Sequence, residues 1–256
     1  MIFTIDIGNT NIVAGVVCRD GVRFAERMST DRIKTPLEYT VLFRAVLELN
    51  GIRPSEIKGS IISSVVPEVT KNVSRSLAKL FGCEPMIVGP GVRTGLNIKV
   101  DDPAQLGADM VVAAVASIAE YPLPQIIFDL GTATTISVID KKGAFLGGVI
   151  AAGVRTAMRS LASSASQLPE ISIEAPKHAI GTNTIDCMRS GAVYCTASMM
   201  DGMIDRIESE TGEKYTCIAT GGLSSGIAMH CFHPIICDDQ LLLKGLYIVY
   251  NKNDTD

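Results

Sequence analysis

One short pattern occurs twice in this chain, and its spacing constrains the fold more than any other feature. Asp6-Ile7-Gly8-Asn9-Thr10 closes one Ile/Val-rich run and precedes another. Asp129-Leu130-Gly131-Thr132-Ala133-Thr134 does the same 123 residues later, in a chain of 256. Each copy reads as strand, tight turn, strand. A lone Asp-x-Gly turn is ordinarily a simple hairpin. Repetition at half the chain length instead marks the duplication of one supersecondary unit. It predicts two similar α/β domains, at 1–118 and 119–256, with one Asp-Gly turn from each lining the cleft between them.

The segments around the turns agree with this reading. Val22–Met28 suits a third strand, and Pro36–Asn50 carries apolar residues at helical spacing before Gly51. Gly59–Val66 reads as a buried strand, Pro67–Phe81 as an amphipathic helix with Pro first and Gly82 after it, and Pro85–Val88 as a strand. Gly89–Ala104 is rich in Gly and Pro and reads as a long loop, of the kind that carries function. A helix follows from about Gln105 to Glu120. Three strands come next, Gln125–Leu130, Thr135–Asp140 and Ala144–Ile150. Helices are predicted over about Thr156–Ser163 and Thr184–Thr211, a strand over Tyr215–Thr220, and a last helix over Gln240–Tyr250.

The turns carry the chemistry. A phosphate held by protein needs amide N–H groups aimed at it and no side chain in the way. Glycine after the strand permits that approach, and a neighbouring Thr or Asn adds donors. A carboxylate at the strand end holds Mg²⁺ or another cation, directly or through water. Two such turns can clamp the phosphates of a nucleotide. Thr220-Gly221-Gly222 is a third glycine turn after a strand, placed where adenine and ribose would lie. Transfer of a phosphoryl group to a hydroxyl also needs a carboxylate to accept the proton. Asp109, in Gly107-Ala108-Asp109, opens a helix whose N-terminus favours the ionised form. An ordinary first-turn helix acid fits that position equally well.

Other chemistries find less support. There is no G-x-x-x-x-G-K-[ST] loop and no G-x-G-x-x-G fingerprint. A net charge of −4 without a basic run argues against nucleic acid or an acidic membrane as partner. The first residues show no basic region or cleavage site, and apolar runs stop short of the ~18 residues of a membrane helix. Seven cysteines without regular spacing read as reduced thiols of a cytoplasmic protein. His230-Cys231-Phe232-His233 with Cys237 has metal-binding residue types, but its spacing matches no zinc pattern.

Taken together, these segments resemble the type III pantothenate kinases of the acetate and sugar kinase/Hsp70/actin superfamily. The resemblance runs from the first turn through Gly89-Pro90-Gly91-Val92-Arg93-Thr94-Gly95, Gly107-Ala108-Asp109 and the second turn, then Gly147-Gly148-Val149-Ile150, Gly181-Thr182-Asn183-Thr184 and Thr220-Gly221-Gly222. It implies two actin-like (ribonuclease H-like) domains with a nucleotide cleft between them. The implied activity is ATP-dependent phosphorylation of pantothenate to 4'-phosphopantothenate, the first step of coenzyme A biosynthesis. Asp6, Ile7, Gly8, Asn9, Thr10, Asn11, Ile12 and Val13 would form the first phosphate site, with Asp6 facing Mg²⁺ through ATP. Thr132, Gly221 and Gly222 would contact ATP from the second half. Asp129 would hold a monovalent cation, K⁺ or NH₄⁺. Asp109 would accept the hydroxyl proton, and Val100, Gly107, Ala108, Met110 and Thr184 would line the pantothenate site. A homodimer is implied as well.

Three positions depart from the family pattern. Val100 stands where Tyr is usual, Met110 where Arg follows the catalytic aspartate, and Ala152 where Pro is usual. Loss of a charge-assisted contact typically removes about 1.5–3 kcal/mol. Both phosphate turns and Asp109 are intact, so the changes fall on the acceptor side. Arg93 or Lys99 could replace the missing charge. The alternatives are a kinase of this fold with another small hydroxyl acceptor, or a non-catalytic nucleotide-binding paralogue.

Overall fold

A computed structural model describes residues 1–254. In chain order its elements are β1 (Ile2–Ile7), β2 (Asn11–Cys18), β3 (Gly21–Ser29), α1 (Pro36–Leu49), β4 (Gly59–Ser64), α2 (Pro67–Phe81), β5 (Met86–Ile87), β6 (Asn97–Ile98) and α3 (Ala108–Glu120). Then follow β7 (Gln125–Leu130), β8 (Ala133–Ile139), β9 (Ala144–Ala152), α4 (Val154–Ser164), α5 (Thr184–Ser190), α6 (Thr196–Thr211), β10 (Thr216–Thr220), α7 (Ser224–Ala228), β11 (Ile235–Cys237) and α8 (Leu241–Asn253).

The chain divides into two compact units. The first comprises Met1–Leu96, Asp101–Ala119 and the stretch from Gln240 onward; the second comprises Asn97–Val100 and Glu120–Asp239. The sheet of the first unit has the order β3-β2-β1-β4-β5, and that of the second β11-β10-β7-β8-β9-β6. Apart from the added β6, the two are the same sheet. In each, a central strand pairs antiparallel with the next strand and parallel with a later one. Asp6 and Asp129 are the penultimate residues of the two central strands.

In the first unit both faces of the central strand are covered, so β1 reads as a nearly unbroken apolar run. Phe3, Ile5 and Ile7 pack with Tyr39, Phe43 and Leu47 of α1 and Val69, Val73 and Leu77 of α2. Ile2 and Ile61 pack on the other face with Val112 and Val115 of α3 and Leu243, Leu246 and Val249 of α8. α1 starts on a reciprocal cap, in which Thr35 and Glu38 satisfy each other's backbone amides. In the second unit Ile126, Phe128 and Leu130 pack against Ala197, Met200 and Ile204 of α6 and against Ile227 of α7.

Three differences from the sequence reading have physical causes. A division at 118/119 assigns residues 240–254 to the second half, whereas α8 packs in the first unit. The sequence pattern gives its apolar stripe but not the partner sheet. The single helix expected over Thr184–Thr211 is interrupted at Gly191–Cys195 by a wider π-type turn, after Ser190-Gly191. The helix expected from Gln105 begins at Ala108, because Asp102-Pro103 first forms a short 3₁₀ turn with Asp102 accepting from the Ala104 amide.

Candidate active site

The first Asp-Gly turn is a closed four-residue loop at the end of β1. The Gly8 amide donates to the Asn11 carbonyl at 2.9 Å, and Thr30 fastens the loop from β3, its hydroxyl donating to the Gly8 carbonyl at 2.7 Å. Asn9 and Thr10 are exposed at its tip. Ile12 and Val13 continue into β2, where Asp6 pairs with Val13 and Ile7 with Ile12. In the parallel neighbour β4, Ser63 stands beside Asp6. Its hydroxyl is fully buried and has no hydrogen-bond partner among the described residues. Such groups are rare in folded proteins. Sequence reasoning missed Ser63, since a Ser in an apolar strand carries no local signal.

Asp109 sits in the first turn of α3, half-buried. Its Oδ1 accepts from the Met110 amide at 2.8 Å. A side chain at Gly107 would place Cβ 2.4 Å from that same oxygen, so glycine leaves the room the carboxylate occupies. Burial pushes the Asp109 carboxyl above its ordinary value, outweighing the backbone hydrogen bonds that pull it down. The direction is opposite to the one the helix terminus alone would give, because desolvation outweighs it. The raised value makes the group a stronger base once ionised. Ala108 and Met110 flank it, both partly buried.

In the second unit the turn at Gly131-Thr132 is shorter, with the Gly131 amide donating to the Ala133 carbonyl at 3.1 Å. The start of α4 is tied to it: the Gly153 amide and the Thr156 hydroxyl both donate to the Thr132 carbonyl, at 3.1 and 2.8 Å. A Cβ at Gly153 would lie 2.3–2.4 Å from the Thr132 and Gly131 carbonyl oxygens, so this glycine is also required. Nothing local in the sequence marks it. Gly221 adopts a left-handed φ of +91°, and a Cβ there would approach Asp129 Oδ1 to 2.7 Å. The structure thus brings Asp129, Gly131 and the Gly221-Gly222 turn together. The space that the missing side chain of Gly221 leaves is bordered by the Asp129 carboxylate and the Leu130 backbone.

The remaining predicted residues are distributed as follows. Thr184 is exposed at the start of α5 and lines a cavity of about 630 Å³ with Thr182, Asn183 and Met158. Val100 is half-buried just after β6. Lys99 is engaged with Asp140 at 3.0 Å, and Arg93 is linked to Asn253 through its backbone. A cavity of about 930 Å³, lined by β8, β9 and α6, contains none of the predicted site residues. His233 pairs with Asp205 at 2.9 Å, and its amide and that of Phe232 are held by the buried Asp201. That gives the His-Cys segment a structural explanation.

Two solved structures share this architecture. One is the activator of 2-hydroxyisocaproyl-CoA dehydratase from Clostridium difficile with bound ADPNP, at TM-score 0.56 and 13% identity, covering 97% of this chain and 93% of that one. The other is ROK hexokinase from Thermus thermophilus, at TM-score 0.52 and 11% identity, covering 98% of each. At such identities the likeness shows the fold alone: two actin-like domains of the sugar-kinase type, each built on the duplicated sheet described above. Sequence comparison narrows the class. The type III pantothenate kinase profile matches residues 2–206. A type III pantothenate kinase of Halalkalibacterium halodurans is 43% identical over 253 residues, covering 99% of this chain and all of that one. The chain belongs to the type III pantothenate kinase family.

Proposed function

We propose that the chain phosphorylates the primary hydroxyl of pantothenate with ATP, giving 4'-phosphopantothenate for coenzyme A synthesis. The observation that carries this reading is full-length likeness to a pantothenate kinase combined with survival of all three carboxylates, Asp6, Asp109 and Asp129, at strand or helix ends. In this reading the amides of residues 8–13 and of Thr132 hold the nucleotide phosphates, with Gly221-Gly222 alongside the nucleoside. Asp109 orients the acceptor hydroxyl and takes its proton. Gly107, Ala108, Met110, Val100 and Thr184 contact the acceptor. Mg²⁺ near Asp6 and K⁺ or NH₄⁺ at Asp129 would neutralise charge on the phosphates. The protein acts as a cytoplasmic homodimer.

The test is ADP release with pantothenate, Mg·ATP and K⁺ or NH₄⁺, run beside Asp109→Asn. Pantothenate-dependent turnover that disappears in the variant supports the reading. A folded protein that binds ATP but gives no turnover would sink it in favour of another acceptor or a non-catalytic role. Val100 and Met110 are the residues that motivate those alternatives.

A further inference from the structure

Pantothenate carries its negative charge on a carboxylate at the end remote from the reacting hydroxyl. The segment that holds Asp109, residues 107–112, contains no cation, and Lys99 is already paired with Asp140. Yet two neighbouring guanidinium groups on α4 stand without partners in the unit that holds Thr184, where Arg206 on α6 is the other such group. Arg155 and Arg159 lie one helical turn apart on α4, and neither has an ion pair or hydrogen bond among the described residues. Both line a polar cavity of about 220 Å³. Its acidic lining residue, Glu170, forms no ion pair with either. Met158 belongs to the walls of both this cavity and the one containing Thr184. The two cavities therefore adjoin on a single helix, one offering hydroxyl and amide groups, the other offering paired cations.

We infer that Arg155 and Arg159 bind the carboxylate of the acceptor, setting specificity for an acidic substrate from α4. The inference rests on the proposed pantothenate reading and adds to it the residues that recognise the charge. Guanidinium groups suit this task because their planar fork matches a carboxylate. The first turn of α4 is anchored to the Thr132 carbonyl through Gly153 and Thr156, which fixes the position of the helix that presents them.

The experiment measures turnover and pantothenate binding by calorimetry for the wild type, Arg155→Gln, Arg159→Gln, the double variant and Arg159→Lys. Each assay is repeated with an uncharged amide analogue of pantothenate. Both arginines are exposed, so the variants should fold. The expected result is a pantothenate KM raised about tenfold or more by each Gln substitution. The ATP KM and kcat should stay constant, the effect should shrink for the neutral analogue, and lysine should restore part of it. An unchanged pantothenate KM in the double variant, with an active wild type, overturns the inference alone. A rise in the ATP KM instead would assign the arginines to the nucleotide and also overturn it. A wild type that neither binds nor phosphorylates pantothenate overturns the functional reading beneath it.

Discussion

In the proposed reading, Asp109 is held in a state that favours catalysis over stability. Its carboxyl titrates above the ordinary 3.8 because burial disfavours the charge. A raised native value means that the native state binds the proton more tightly than the unfolded chain. The ionised form is thus a destabilising element at neutral pH, and the penalty disappears as pH falls below both values. Asp109→Asn keeps the acceptor for the Met110 amide but removes the charge. It should raise the melting temperature at pH 7, with the gain shrinking toward pH 3.8 and below, while turnover falls about a hundredfold or more. Turnover of the unsubstituted protein should lose activity on the acid side at a pH above 3.8. Gly107→Ala makes the complementary test. Its methyl group displaces a flexible carboxylate rather than backbone, so stability should change little, whereas misplacing the base should lower kcat by roughly 10–100-fold. The sequence marks Asp109 through Gly107 and the helix that follows, but not its burial. Burial depends on neighbours remote in sequence, and it sets the direction of the shift opposite to the one expected from the helix end.

The glycine turns are the elements where backbone geometry and chemistry coincide. Gly221→Ala forces a non-glycine residue to φ +91° and sets its Cβ 2.7 Å from Asp129 Oδ1. The strain should cost about 1–3 kcal/mol. Because the methyl group intrudes on the proposed cation site, dependence on K⁺ should weaken along with thermal stability, as read by cation titration of turnover and by calorimetry. The glycine turn itself is legible from Thr220-Gly221-Gly222. The need for Gly153 is not, because it comes from the Gly131 and Thr132 carbonyls of the β7–β8 turn. The same limit hides the π-type turn after Ser190, where a continuous helical pattern in sequence does not reveal the change in winding.

For the molecule as a whole, the duplication predicted from two Asp-Gly turns is realised as two sheets of one topology. What half-chain spacing does not reveal is that the first unit is completed by the last helix. Gly245 of α8 packs so closely on α3 that a Cβ would lie 2.1 Å from the Val112 carbonyl oxygen. Alanine has the better helix propensity by about 1 kcal/mol. The contact is to backbone, however, and overpacking of this kind costs about 1–3 kcal/mol. Gly245→Ala should therefore lower the denaturation midpoint rather than raise it.

That late return has a consequence for synthesis. Residues 120–239, with β6 already made, can complete their sheet before α8 is synthesised, whereas the sheet of β1–β5 must wait for α8 to cover it. Until then Ile2, Ile61 and Val115 lack their cover from Leu243, Leu246 and Val249, and the nascent chain carries a sticky face. The unit begun earlier is thus covered later than the unit that follows it, and a ribosome stalled before residue 240 would hold a product that invites chaperones.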